Sequence, residues 1–398
     1  MRCLLGFIAS CLFAFPFLRN GTCETFPLSS PAESVVGELR YVNARSDETL
    51  IDIAREFDLG YDQIVKANPE VNRWLPDEGA EVLLPQIYIL PGAVRRGLVL
   101  NISELRIYYY PTPKKGEPQE VRTYPVSIGR MDWRTPLGAT KVTQKERDPA
   151  WRPPKSIREE HARDGDPLPE VIPGGRPDNP LGRFALRLGL PSYLIHGVDE
   201  RKSFGIGMRV THGCVRMYPE DIEQLFGLVS VNNPVMIVDE PIKIGRRGGS
   251  VFLSVHQPLD EGEDESLPPL PRVSLDKVVH LVKAHLGPNY QVPFELVRSI
   301  TDVGDGIPHE IAQALPAAPV TLVSSPPQQV APHQPVPQQP APQRDSFDEQ
   351  YFKALAKHLN DDDVPPTPVP PAMKRRAPVN PSGTDDDEAV RNYVTERY

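Results

Sequence analysis

The sequence predicts an exported multidomain chain: a signal peptide, a small α+β module, a mainly-β domain, a small α/β extension and a disordered Pro/Gln-rich tail. Three observations predict it. An apolar run from Cys3 to Leu18 follows the early Arg2. Short runs of strand-like alternation, broken by Gly or Pro, dominate residues 96–239. Finally, proline is heavy at 47 of 398 residues and much of it is concentrated near the C-terminus, where the composition no longer supports a core.

Residues 1–23 combine a charged start, a short apolar core and small residues near Gly21–Cys23, the pattern of a secretory signal peptide. A spanning helix needs about 20 apolar residues, so no transmembrane span is expected after cleavage. The segment Ile8–Cys11 only loosely matches a lipoprotein cleavage box, and lipidation is not expected. A net charge of −9 without a long Lys/Arg block argues against nucleic acid as the main partner.

Residues 38–86 read as strand, helix, helix, strand. ELRYVNA opens the unit, and in DETLIDIAREFDL the residues Leu50, Ile53, Ala54 and Phe57 share one helical face. Asp47 is placed to cap that helix. YDQIVKAN stops at Pro69, and GAEVLLP closes the unit. In 96–239, GLVLNIS and ELRIYYY form an alternating hairpin around Ser103. The strands VRTYPVSIG, GATKVTQ, RFALRL, SYLIHG and NPVMIVD follow, with one helix opening at Pro219. Residues 147–182 hold eight prolines and read as a long loop, either a functional lid or disordered. Residues 240–311 form the α/β extension. In the 312–398 tail, positions 316–343 carry nine prolines, six glutamines and no glycine, an extended linker. Beyond it, Phe347, Tyr351, Leu355 and His358–Leu359 fall near one face of a transient amphipathic helix.

Of the four cysteines only Cys214 lies outside the first 23 residues. Structural cysteines of exported proteins usually come in pairs, so a lone thiol near histidines is either inert or a nucleophile. It stands in THGCVRM. His212, two residues before it, shares its face in an extended segment. His196, in LIHG, is brought back toward it by the turn FGIGMR. Gly213 lets backbone amides approach an oxyanion, and Arg216 can hold a carboxylate or orient a carbonyl. On residue chemistry alone three readings stay open: a thiol nucleophile, a zinc site using His196, His212 and Cys214 without an obvious fourth ligand, and a buried structural cysteine.

Two resemblances narrow this. Tyr41-Val42, Glu48-Thr49-Leu50, Ile53-Ala54, Phe57, Ile64, Ala67-Asn68-Pro69, Leu75, Gly79 and Leu84-Pro85 make residues 38–86 similar to a LysM module. That family binds N-acetylglucosamine-containing glycans such as peptidoglycan. Asp47-Glu48 replaces the usual Gly-Asp, which lowers the expected sugar affinity and leaves a purely packing module as the alternative. The His196-Gly197 pair, the later Thr-His-Gly-Cys-Val-Arg-Met, Thr135–Gly138 and Asp178–Gly182 resemble the YkuD-type L,D-transpeptidase family over nearly all of 96–239. With the module and the extension, the chain is similar to the periplasmic Gram-negative subgroup, which anchors an outer-membrane lipoprotein to peptidoglycan or forms 3→3 crosslinks.

The resemblance implies that Cys214 attacks the meso-diaminopimelate carbonyl of a tetrapeptide stem and releases D-Ala. It makes His196 the general base and acid and His212 a supporting residue. Gly213, Thr211, Gly197 and Arg216 become oxyanion or substrate-binding positions. No metal and no cofactor is implied. The partners implied are peptidoglycan stem peptides and glycan, with an outer-membrane lipoprotein ending in lysine as one acceptor and a second stem as the other. Water as acceptor would make a hydrolase, and a non-catalytic wall-binding protein is the remaining alternative. The tail departs from the family pattern. Since residues 38–86 contain neither Cys nor His, the module is expected to target the enzyme without joining the chemistry. The short IYILPGAVRR that follows also permits rigid coupling.

Overall fold

The computed structural model describes residues 25–313, apart from 31, 130–134, 164, 212, 259–271 and 287–292. The expected signal peptide, nearly all of the 312–398 tail with its expected amphipathic segment, and His212 lie outside the described residues. After the short edge strand β1 (Thr25–Pro27) comes a βααβ unit: β2 (Val35–Asn43), α1 (Leu50–Glu56), α2 (Tyr61–Ala67) and β3 (Glu81–Ile89). Leu50, Ile53 and Ala54 pack with Leu59, Ile64, Val82 and Leu84, and Phe57 closes the edge of this small core. The cap of α1 is Thr49, not Asp47. Helical geometry begins at Leu50, so the capping position falls at 49. There the Thr49 hydroxyl accepts from Asp52 N–H at 3.1 Å, and the Asp52 carboxylate accepts from Thr49 N–H at 2.9 Å. Asp47 pairs instead with Arg45 at 3.7 Å.

The β2–β3 ladder runs antiparallel from Val35↔Ile89 to Asn43↔Glu81, longer than the 38–86 pattern suggests. Its far end meets the main sheet. That sheet adds β4 (Gly97–Asn101), β5 (Arg106–Tyr110), β6 (Glu120–Pro125), β8 (Gly138–Arg147), β9 (Phe184–Leu188), β10 (Leu194–His196), β12 (Val215–Arg216) and β13 (Pro234–Val238). Off its plane, β7 (Ile128–Gly129) pairs with β11 (Arg209–Thr211). The strand order is β1-β6-β5-β4-β13-β8-β9-β10-β12. Leu98, Ile107 and Tyr124 from one half share a core with Phe184, Ile195 and Val215 from the other, together with Ile222 and Leu225 of α4 (Pro219–Leu228). One cluster can reach strands at both ends only if the sheet curls around it.

The β4–β5 hairpin forms around Ser103, but its expected polar face is not solvated. Val99, Tyr108, Tyr110 and Val121 pack against Val36, Tyr88 and Leu90 from the module side. Both faces are buried, so Arg106 is enclosed at 2 % exposure. Its guanidinium is satisfied by Gln63 Oε1 at 2.6 Å, Asp58 O at 2.9 Å and Thr123 Oγ1 at 3.2 Å. A buried charge persists only with such partners.

The 147–182 segment is an anchored structure rather than a bare loop. It contains α3 (Lys155–Arg163) and a Trp151↔Ile172 bridge. Buried Asn179 staples it by donating to Pro149 O at 2.8 Å and Pro173 O at 3.0 Å. The extension forms the sheet β14 (Ile242–Arg247), β15 (Ser250–Val255) and β16 (His309–Gln313), covered by α5 (Leu275–Leu286) and α6 (Phe294–Val303). Lys243 of β14 is buried and donates to both Glu104 and Ile89 O, joining the extension to the main sheet and to β3.

Candidate active site

The site is made by two short parallel strands. Ile195 pairs with Val215 and His196 with Arg216, which puts Cys214 level with Leu194. Side chains alternate, so Leu194, His196, Cys214 and Arg216 all project to one face. The offset of two residues separates Cys214 from His196 by about 6.6 Å along the strands and about 4.8 Å across them. Parallel neighbours need a crossover, supplied here by the 3-10 helix Glu200–Gly205 and β11. This return path brings the two motif residues together.

The turn before Cys214 is fixed by hydroxyls. Thr211 Oγ1 donates to Cys214 O at 2.6 Å and accepts from Gly213 N–H at 3.2 Å. Thr135 Oγ1 donates to Gly213 O at 3.0 Å and accepts from Gly129 N–H at 3.3 Å. Gly213 has φ +100, a conformation that side-chain-bearing residues rarely adopt. Both threonines are buried, and these hydroxyl bonds all go to backbone. Ser127 then locks the strand that follows, exchanging two 2.9 Å backbone bonds with Arg216.

His196 is 3 % exposed. Its Nδ1 lies 2.6 Å from Gly197 O, and a carbonyl can only accept, so Nδ1 carries the proton and Nε2 keeps its lone pair. Burial, followed by the positive charge of Arg216, lowers its pKa to about 3, against the opposing backbone bonds of Gly197 and Leu181. Cys214 is a free, partly exposed thiol. Burial pushes its pKa up, opposed by a backbone hydrogen bond from Leu194 and by Arg216. At rest the thiol and the imidazole are therefore both neutral. Sγ donates to Ser192 O at 3.6 Å rather than to His196.

Arg216 is held close to the thiol, with its Nε buried and unpartnered among the described residues. Gly197 supplies the carbonyl that sets the imidazole tautomer, and a Cβ there would sit 3.0 Å from Ile222 of α4. Among the described residues, no group of three His, Cys, Asp or Glu side chains could hold a metal. His212, which the zinc reading requires, is not among them.

Sequence reasoning gave no role to Thr135, Ser127 or Ser192. Thr135 lies in the quoted TPLG stretch, but its contact with Gly213 spans 78 positions. Ser192 has φ +69 after Pro191, and Tyr193 N–H donates to Leu190 O at 3.2 Å. Pro followed by a left-handed residue is a turn signal that usually calls for Gly at the second place. The same turn, with Tyr193, Arg187 and Thr143, lines a depression of about 300 Å³ on the Ser192 side of the thiol. A larger cleft of about 630 Å³ lies between the 147–182 segment and α4, lined by Gly182, Val198 and Pro219.

Residues 95–237 match the model of the L,D-transpeptidase catalytic domain called YkuD. The chain is 35% identical over 311 residues to an Escherichia coli K12 protein named probable L,D-transpeptidase YcfS, covering 77% of this chain and 92% of that one. It is 40% identical over 261 residues to the probable L,D-transpeptidase YbiS of the same strain, covering 63% and 83%. The catalytic domain of an Enterococcus faecium L,D-transpeptidase, solved by NMR, aligns with 37% of this chain and all of that one, at 20% identity and a TM-score of 0.27.

Proposed function

This chain belongs to the YkuD family of L,D-transpeptidases, and on that premise we propose that Cys214 carries acyl transfer between peptidoglycan stem peptides and an amine. One observation carries the reading: Cys214, His196 and Arg216 share a face, with the His196 proton fixed on Nδ1 by Gly197 O. Nε2 is thus the atom able to take a proton from the thiol.

The reaction runs in two halves. As Sγ bonds to the meso-diaminopimelate carbonyl carbon, its proton passes to His196 Nε2. The tetrahedral oxyanion is met by the Cys214 backbone amide at the Gly213–Cys214 turn, with Arg216 as the nearby positive charge. When the C–N bond breaks, His196 returns the proton to the leaving amine of D-Ala, and a thioester remains. An acceptor amine then attacks the thioester and gives a proton to His196; as the C–S bond breaks, His196 passes that proton to sulfur and restores the thiol. Thiolate formation makes the imidazolium affordable despite its low pKa, because the new negative charge appears beside it. Thr211 shapes the turn, and His212 supports the oxyanion side.

The acceptor is a primary amine, either of a second diaminopimelate, giving a 3→3 crosslink, or of the C-terminal lysine of an outer-membrane lipoprotein. Residues 38–86 bind glycan as a LysM module, and the leader sends the enzyme to the periplasm. What supports these points is the match of residues 38–86 to the LysM pattern, the leader-like N-terminus and the family itself.

The test incubates the protein with a disaccharide tetrapeptide and a lysine-ended peptide. The expected products are free D-Ala and one adduct whose mass identifies the acceptor. Cys214→Ser abolishes both, and a carbapenem acylates the wild type at Cys214. His196→Ala costs about 10²–10⁴-fold, at least as much as His212→Ala. An active serine variant, or a carbapenem adduct on another residue, would defeat the thiol mechanism.

A further inference from the structure

A module that only targets the enzyme needs no contact with the nucleophile's segment. Here the α1–α2 turn is built into it. Gly60 caps α2 without a side chain, so the first helical amides lack the usual oxygen partner. The catalytic domain supplies it: Tyr61 N–H donates to Ile206 O at 2.9 Å and Asp62 N–H to Gly207 O at 3.3 Å. The two backbones touch. A Cβ on Gly207 would lie 2.2 Å from Tyr61 N, and one on Gly60 would lie 2.9 Å from Gly207 Cα.

The same turn also grips the chain beyond the nucleophile. The Tyr218 hydroxyl donates to Leu59 O at 3.1 Å. Arg55 binds Glu220 through two nitrogens, at 2.8 and 2.9 Å, and Glu200 at 2.8 Å, with its guanidinium 5.7 Å from the Tyr218 ring centre. Such bidentate pairs fix geometry as well as charge. Contacts at Glu200, Ile206 and Gly207 precede Cys214, and those at Tyr218 and Glu220 follow it.

We propose that residues 55–62 are a positioning element for the transfer reaction, clamping the 200–220 segment on both sides of Cys214 and so setting where the thiol stands against His196. The inference rests on the acyl-transfer reading above and deepens it. Residues 55–62 line neither the depression beside Ser192 nor the cleft next to α4. The clamp acts through geometry, and a displacement of about 1 Å at a reacting centre can cost about 100-fold in rate.

The experiment compares wild type with Gly60→Leu, Arg55→Gln and Arg55→Lys on a soluble tetrapeptide without glycan, so that lost sugar binding cannot lower the rate. A second readout is the pH dependence of Cys214 alkylation by iodoacetamide, which needs no transferase activity. The expected result is a fall in kcat of at least about 10-fold for Gly60→Leu and Arg55→Gln, with KM little changed. The alkylation midpoint moves, and Arg55→Lys recovers part of both. If Gly60→Leu does not fold, Arg55→Gln, which adds no volume, decides. Unchanged kcat and midpoint in Arg55→Gln overturn the clamp, as does a lower kcat with an unmoved midpoint. A wild type that alkylates normally, with a midpoint that moves in the variants but without transfer to any amine, would leave the clamp standing and remove the acyl-transfer reading.

Discussion

At the residue scale the site combines one thiol, one imidazole and one guanidinium, and the charge of Arg216 opposes the effect of burial at Cys214 but reinforces it at His196. Arg216 helps to hold His196 neutral and favours the thiolate of Cys214. Arg216→Gln removes both influences, so the Cys214 pKa rises further and that of His196 moves back toward 6.5. Alkylation of Cys214 at pH 7 should slow, and its midpoint should move to higher pH. On the proposed mechanism His196 works in its neutral form, and its pKa of about 3 keeps that form populated through mild acid. The acid limb of kcat/KM should therefore lie well below 6.5 in the wild type and rise in Arg216→Gln. A pH–rate profile of the two proteins checks both signs.

At the scale of elements, the catalytic turn depends on a hydroxyl from a distant strand connection. Thr135 bonds Gly213 O and Gly129 N–H, both buried. Thr135→Val keeps the shape but leaves those two backbone groups unsatisfied, each worth about 1–3 kcal/mol. Stability measured by denaturant should drop by a few kcal/mol, and transfer should fall because the nucleophile's turn loosens. Thr135→Ser restores the hydroxyl and should return most of both. The alternating pattern announced β4, β5 and the Gly197-terminated strand, and Pro219 marked the start of α4. It could not announce β11 or β12, which are three and two residues long and exist because of their partners.

For the whole molecule, burial of histidines links stability to pH. His256 lies where module, main sheet and extension meet, facing Glu104, Lys243, Lys66 and Asp305, and burial lowers its pKa to about 3. His196 is lowered to the same value. In the unfolded chain both titrate near 6.5. Between these limits the unfolded state binds protons that the folded state does not. Stability is thus fully present above the unfolded pKa and falls as pH drops toward 3, by about 1.4 kcal/mol per pH unit for each histidine. His256→Gln should flatten the dependence by one such increment. Urea titrations between pH 7 and 4.5 measure the slope, and an unchanged slope would remove His256 from the account.

The sequence by itself determined the family chemistry: the His196 and Cys214 motif, and the strand-rich domain that carries it. These were legible because a reactive motif and a hydrophobic period are local properties of the chain. The role of Arg106 was not legible. A strand pattern shows which side chains share a face, but not whether a second layer covers that face and buries the charge. The Thr49 cap depended on where the first helical turn begins, a shift of two residues that propensity does not resolve. Contact between the module and the catalytic domain was a matter for tertiary structure alone. Gly60 and Gly207 are 147 positions apart, and only the folded backbone brings them into contact.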